Sequence, residues 1–274
     1  MTTSLRVNLG TIVTVALIAL AGTSSAAQAP TGERLNDQDI KALLDRIDDD
    51  RDRFEDQLDG KLKRSIIRGP GGEVDVERYL DDLQENMDKL KGRFTPQYAA
   101  SSEVTTVLRQ GSDIQRHLAT LPPDFDGASE GNRLVSSLRV LAASYGTTLP
   151  LPEGRQARRL NDGEVKQTAE EVAENADEYR KQLGASLKND KTIDKASREA
   201  AVKNAATLKD QAKRLGSLVG DRKPASGEAK ALLQHAAAVQ SADAGRSLSP
   251  AARMAWGAMQ EGLTRIAQAF GLPR

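Results

Sequence analysis

Residues 34–62 read RLNDQDIKALLDRIDDDRDRFEDQLDGKL, and residues 159–187 read RLNDGEVKQTAEEVAENADEYRKQLGASL. The two stretches lie 125 positions apart, and the same shift aligns the rest of the chain without a gap. Identical residues fill roughly a sixth of the aligned positions, and the mismatches say more than the matches. Ile40 falls on Val165, Ile47 on Val172, Ile114 on Val239, Leu134 on Met259 and Leu141 on Ile266. Phe54 falls on Tyr179 and Tyr145 on Phe270. Such swaps nearly keep side-chain volume, as a buried position requires. Chance agreement between two helical stretches would not hold one register past several loops. The pattern therefore reads as a tandem duplication.

Within the quoted stretch, apolar residues recur at steps of three and four: Ile40, Leu44, Ile47, Arg51, Phe54, Leu58, Leu62. The copy has Val165, Ala169, Val172, Ala176, Tyr179, Leu183 and Leu187. That spacing is the inner seam of a bundle helix. Asn36 and Asn161 stand as N-caps, with Asp39 and Glu164 at the third helical position and apolar staples on either side. Gly69-Pro70-Gly71-Gly72 ends the first helix.

Three more helical stripes follow in each copy. Val76, Leu80, Leu83, Met87, Leu90 and Phe94 form the second. Ser101 and Ser226 are the expected caps of the third helices, and Ser249-Pro250 opens the last one. No segment alternates at period two, so no strand is expected. The expected fold is all-α, a tandem duplication of an up-down four-helix bundle with eight main helices. The expected units are 28–146 and 155–274, joined by a linker at 147–154 (TTLPLPEG) that its prolines keep extended.

The first segment reads as an address. One Arg precedes an apolar run at 9–21, and Ser25-Ala26-Ala27 supplies small residues for cleavage, so 1–27 is expected to be a cleavable signal peptide, with an uncleaved anchor as the competing reading. About a dozen apolar residues are too few to span a bilayer, and no second such run exists. A periplasmic or secreted protein is expected, with no transmembrane segment after signal removal. It has no cysteine, so packing alone must stabilise it.

The net charge is zero, but the halves differ. Residues 30–154 carry 24 acids and 17 bases (−7), and residues 155–274 carry 15 acids and 21 bases (+6). Complementary fields favour docking of the halves on each other or of one chain on another.

Little catalytic chemistry is visible. The two histidines, His117 and His235, are not equivalent under the repeat, and neither follows a Glu-x-x-His pattern. Asp48, Asp50 and Asp52 have the opening spacing of a calcium loop, but Arg53 replaces its glycine. The glycine-rich stretch at 69–72 has no following Lys-Ser/Thr, and no serine sits in a nucleophile elbow. The basic half lacks the interleaved aromatics of a nucleic-acid surface. No cofactor and no metal are implied.

The residues best placed for ligand binding are Arg51, a cation on an inner seam, together with Tyr79, Tyr179 and Trp256. The expected function is a non-catalytic interaction or structural module with a protein partner or self-association. The alternative is a carrier or sensor of a small ligand, anionic ones among the candidates, held between helices or between the repeats.

Overall fold

Asn36 receives the backbone N–H groups of Gln38 and Asp39, and Asp39 returns a bond to the Asn36 N–H. Asn161 and Glu164 form the same reciprocal box. These caps open α1 (Asp37–Gln57) and α6 (Asp162–Asn189) in the computed structural model, which describes residues 33–69, 72–190, 192–244, 246 and 248–273. The signal-peptide reading lies outside the described residues.

The other elements are α2 (Gly60–Lys63), β1 (Ile66–Gly69), β2 (Gly72–Asp75), α3 (Val76–Arg93), α4 (Ser101–Leu118), α5 (Ala128–Ser144), α7 (Lys195–Gly220), α8 (Ser226–Asp243) and α9 (Pro250–Ala269). Among the described residues the fold is all-α apart from one hairpin and an isolated bridge between Thr95 and Tyr98. In the first half α1 packs on α3 and α5, and α4 packs on the same two helices. In the second half α6 packs on α7 and α9, and α8 packs on those two. The bounds of α4 and α8 differ by 125 at both ends.

Each half has its own buried cluster. Ile40, Leu44, Ile47, Phe54, Leu80, Leu83, Met87, Leu108, Leu134 and Leu141 fill the first. Val165, Val172, Tyr179, Leu183, Leu208, Leu232, Met259 and Ile266 fill the second, with many alanines between them. Glycine sets the tightest crossing there. A Cβ on Gly262 would lie 2.4 Å from Val172 Cγ2, so a side chain would push α9 off α6.

Three expectations need correction. The first helix does not run on through Leu62. It stops at Gln57, and Asp59 starts a separate turn by accepting the Lys61 and Leu62 N–H groups. A side chain that offers the backbone such bonds competes with helix continuation. The aligned residues in α6 are Gly184 and Ala185, which offer no such cap, and α6 runs unbroken for 28 residues.

A hairpin is present where no strand was expected. Ile66 pairs with Asp75, Ile67 with Val74, Arg68 with Glu73 and Gly69 with Gly72. Its arms are four residues each, too short for a sustained period, and β-branched Ile66, Ile67 and Val74 favour the pleat. Ile67 is buried against the first core.

Ser101 and Ser226 lie one position inside their helices, not at the caps. Glu33 takes over at α8: its Oε1 accepts from Ala225 N, Ser226 N and Ser226 Oγ at 3.0, 3.1 and 3.0 Å. A carboxylate there also meets the positive end of the helix dipole.

The stretch at 147–158 is neither straight nor free: it bends at Leu149-Pro150 and turns at Glu153-Gly154. Leu149 and Ala157 are buried in the first core and Leu151 packs against it. The Leu151 N–H donates to Ser112 Oγ at 2.9 Å, and the Ala157 N–H to Thr105 Oγ1 at 3.0 Å. Arg155 N bonds Pro152 O, and Gly154 sits at φ 69, so a tight turn separates the two anchors.

The halves meet through the two RLND segments. Arg34 Nη1 contacts Asp162 Oδ1 at 2.5 Å and Arg159 Nη2 contacts Asp37 Oδ1 at 3.0 Å. Each half supplies one cation and one anion, so this joint does not draw on the −7 and +6 asymmetry.

Candidate functional site: a groove between two helices

The four residues singled out in the sequence do not form one site. Arg51 is largely buried, and its guanidinium is met on its own helix by Asp52 and by Glu55 at 2.6 Å. Its charge is already neutralised, so it presents no open anion site. The neighbouring aspartates are dispersed around α1. Asp50 accepts from Ser137 at 2.7 Å, and Asp48 pairs with Lys91 at 2.7 Å.

Tyr79 secures the hairpin. Its hydroxyl donates to Asp113 Oδ2 at 2.7 Å, and Arg116 holds the other Asp113 oxygen at 2.6 Å. Burial, then the Asp113 carboxylate, pushes the Tyr79 phenol well above its ordinary pKa. A Cβ on Gly69 would lie 2.7 Å from the Tyr79 ring, so the strand passes directly over it.

Tyr179 and Trp256 do meet, with ring centroids 5.1 Å apart and planes at 53°. Tilted aromatic pairs at this separation attract through their quadrupoles. The Tyr179 hydroxyl bonds Asp243, and burial followed by that carboxylate raises its pKa. The counterparts 125 residues earlier, Phe54 and Gly131, also touch: a Cβ on Gly131 would be 3.0 Å from Phe54 Cε2.

Trp256 leads to a groove of about 980 Å³ between α8 and α9. Its floor is Leu233, Ala236, Trp256, Leu263 and Leu272. Leu233, Trp256, Gln260 and Leu272 are only half-buried. The rim is exposed and polar, with Lys230, Gln234, Gln240, Glu261 and Arg265. Arg265 is engaged by Glu171 at 2.6 Å, whereas Lys230 has no ion pair among the described residues.

Apart from Trp256, no residue of this groove is among those that the sequence singles out. The available signal was weak. Leu233 and Ala237 share one face of α8 with Lys230 and Gln240, a mixed stripe resembling neither core nor ordinary solvated surface.

Among the described residues, no helix is long and apolar enough to cross a membrane. Nor do any three His, Cys, Asp or Glu residues among them form a group that could hold a metal ion. Compared with protein-family models, curated proteins and solved structures, the chain matches none.

Proposed function

We propose that this chain is a non-catalytic interaction module, built from two related four-helix units and exported by its N-terminal segment, whose docking face is the α8–α9 groove. The observation that carries the reading is the groove itself. A half-buried tryptophan and two leucines lie between polar rims, the anatomy of a protein-binding patch with an aromatic anchor. The duplication is supported by the shared register of caps and buried pairs, from Asn36 and Asn161 to Phe54 and Tyr179.

The test is a photo-crosslinking residue in the full chain, expressed in its own host. It is placed at Ala237 in the groove or at exposed Ala258 outside it. The expected result is a macromolecular adduct at Ala237 only, lost when Leu233→Asp is added. Adducts of small-molecule mass at Ala237 would favour a carrier. No adduct, or equal adducts at both positions, would contradict the docking face.

A further inference from the structure

We propose that the α8–α9 groove takes a proline-containing apolar segment with one tight turn, running antiparallel to α8 and carrying an acidic side chain at its Lys230 end. This rests on the groove being the docking face and names what docks there.

The first half contains the corresponding site with its occupant in place. Shifted by 125, Lys230, Leu233, Ala237 and Gln260 fall on Thr105, Leu108, Ser112 and Val135. Those four are buried, at 5%, 0%, 6% and 3% exposure. The stretch at 147–158 (TTLPLPEGRQAR) is bonded to this surface, held by Ser112 near its start and Thr105 near its end. In the second half Leu233 and Gln260 are half-exposed and Lys230 and Ala237 are exposed. The same helical face is covered in one half and open in the other.

The anchor order fixes the direction. Leu151 bonds Ser112 and Ala157 bonds Thr105, so the segment runs against α4. Seven helical residues between those anchors span roughly 10 Å, while six extended residues could reach roughly 20 Å. The turn at Pro152–Arg155 takes up the difference.

The substitutions define the ligand. Ser112 becomes Ala237, which removes a hydroxyl acceptor and leaves an apolar contact. Thr105 becomes Lys230, an exposed cation that a carboxylate would complement. Gln234, Gln240 and Gln260 can bond the occupant's backbone. Prolines reduce the ordering such a segment must undergo on binding.

Trp256 is the only tryptophan in the chain, and it reports on this groove. The probe is a synthetic peptide with the 147–158 sequence and Ala157→Glu, titrated into the full chain. The unsubstituted peptide and a scrambled one are the controls. Expected is a saturable change in Trp256 fluorescence, several-fold tighter for the glutamate peptide, with that advantage lost in Lys230→Ala. Leu233→Asp should weaken both peptides about tenfold or more, the scale of losing an interface anchor. If Leu233→Asp melts early, Ala237→Arg at an exposed position replaces it.

Equal binding of the scrambled peptide, no saturable response, or indifference to both groove variants would overturn the proposal. So would a concentration-dependent Trp256 change in the chain alone, which assigns the groove to a second copy. A chain that ignores the peptides yet still crosslinks a macromolecule at Ala237 keeps its docking face and loses this ligand class. A chain that does neither loses both.

Discussion

Asp37 and Asp162 each accept the other's backbone N–H, both at 2.8 Å. Arg34 reaches across to Asp162 and the Leu160 carbonyl, and Arg159 reaches back to Asp37 and the Leu35 carbonyl. Each contact repeats with the partners exchanged by 125 positions. This is the self-complementary pattern of a two-fold interface, realised within one chain. The Arg34 and Arg159 side chains are 6% and 3% exposed, and each leaves its Nε without a partner. Burial, and then Arg159, lower the Arg34 guanidinium from its ordinary pKa.

Removing either aspartate therefore strands a buried guanidinium. Asp37→Ala and Asp162→Ala should each destabilise the chain by about 3 kcal/mol. Because they share one network, the double variant should cost clearly less than the two together. Urea unfolding of the three variants checks both statements. Full additivity would mean that the two aspartates act independently.

The α6–α9 crossing should be sensitive to one methyl group. Gly262→Ala is expected to cost about 1–3 kcal/mol, since Val172 has no room to yield. Gly257→Ala, five residues earlier on the same helix, meets nothing within 4 Å and should stabilise by up to about 1 kcal/mol. Thermal melts of the pair give the comparison.

The hairpin depends on Tyr79. Tyr79→Phe keeps the ring under Gly69 but removes the bond to Asp113, and should cost about 1–2 kcal/mol. Faster amide exchange confined to residues 66–75 would locate the loss. A global change without local loosening would contradict this role.

Burial lowers the His117 pKa below the ordinary 6.5, so the proton binds the unfolded chain more tightly. This contribution to stability is present above about pH 6.5 and is lost as pH falls towards the depressed folded value. His117→Gln should flatten that part of the stability profile and leave the neutral side unchanged. Denaturant midpoints between pH 5 and 8 measure it.

The helices were legible because the seams obey one rule throughout, from Ile40 and Val165 to Leu141 and Ile266. The boxes at Asn36 and Asn161 were legible for the same reason, as local chemistry written in adjacent residues. The break at Leu58 was not, because Asp59 acts through hydrogen bonds that compete with a seam still continuing to Leu62. The displaced cap at Ser226 was also hidden: Glu33, which replaces it, lies nearly two hundred residues away. The groove was least visible, since Leu233 and Leu108 are identical residues. What separates them is the stretch at 147–158 folded over one and not the other.

The central claim is that the α8–α9 groove is an open counterpart of the site filled by that stretch. Paramagnetic labels on either end of the glutamate peptide, read by NMR of the full chain, test it most directly. The account predicts that an N-terminal label broadens signals around Ala237 and Gln240 and that a C-terminal label broadens those around Lys230. Broadening in the opposite order, or around α4 and α5 instead, would contradict it.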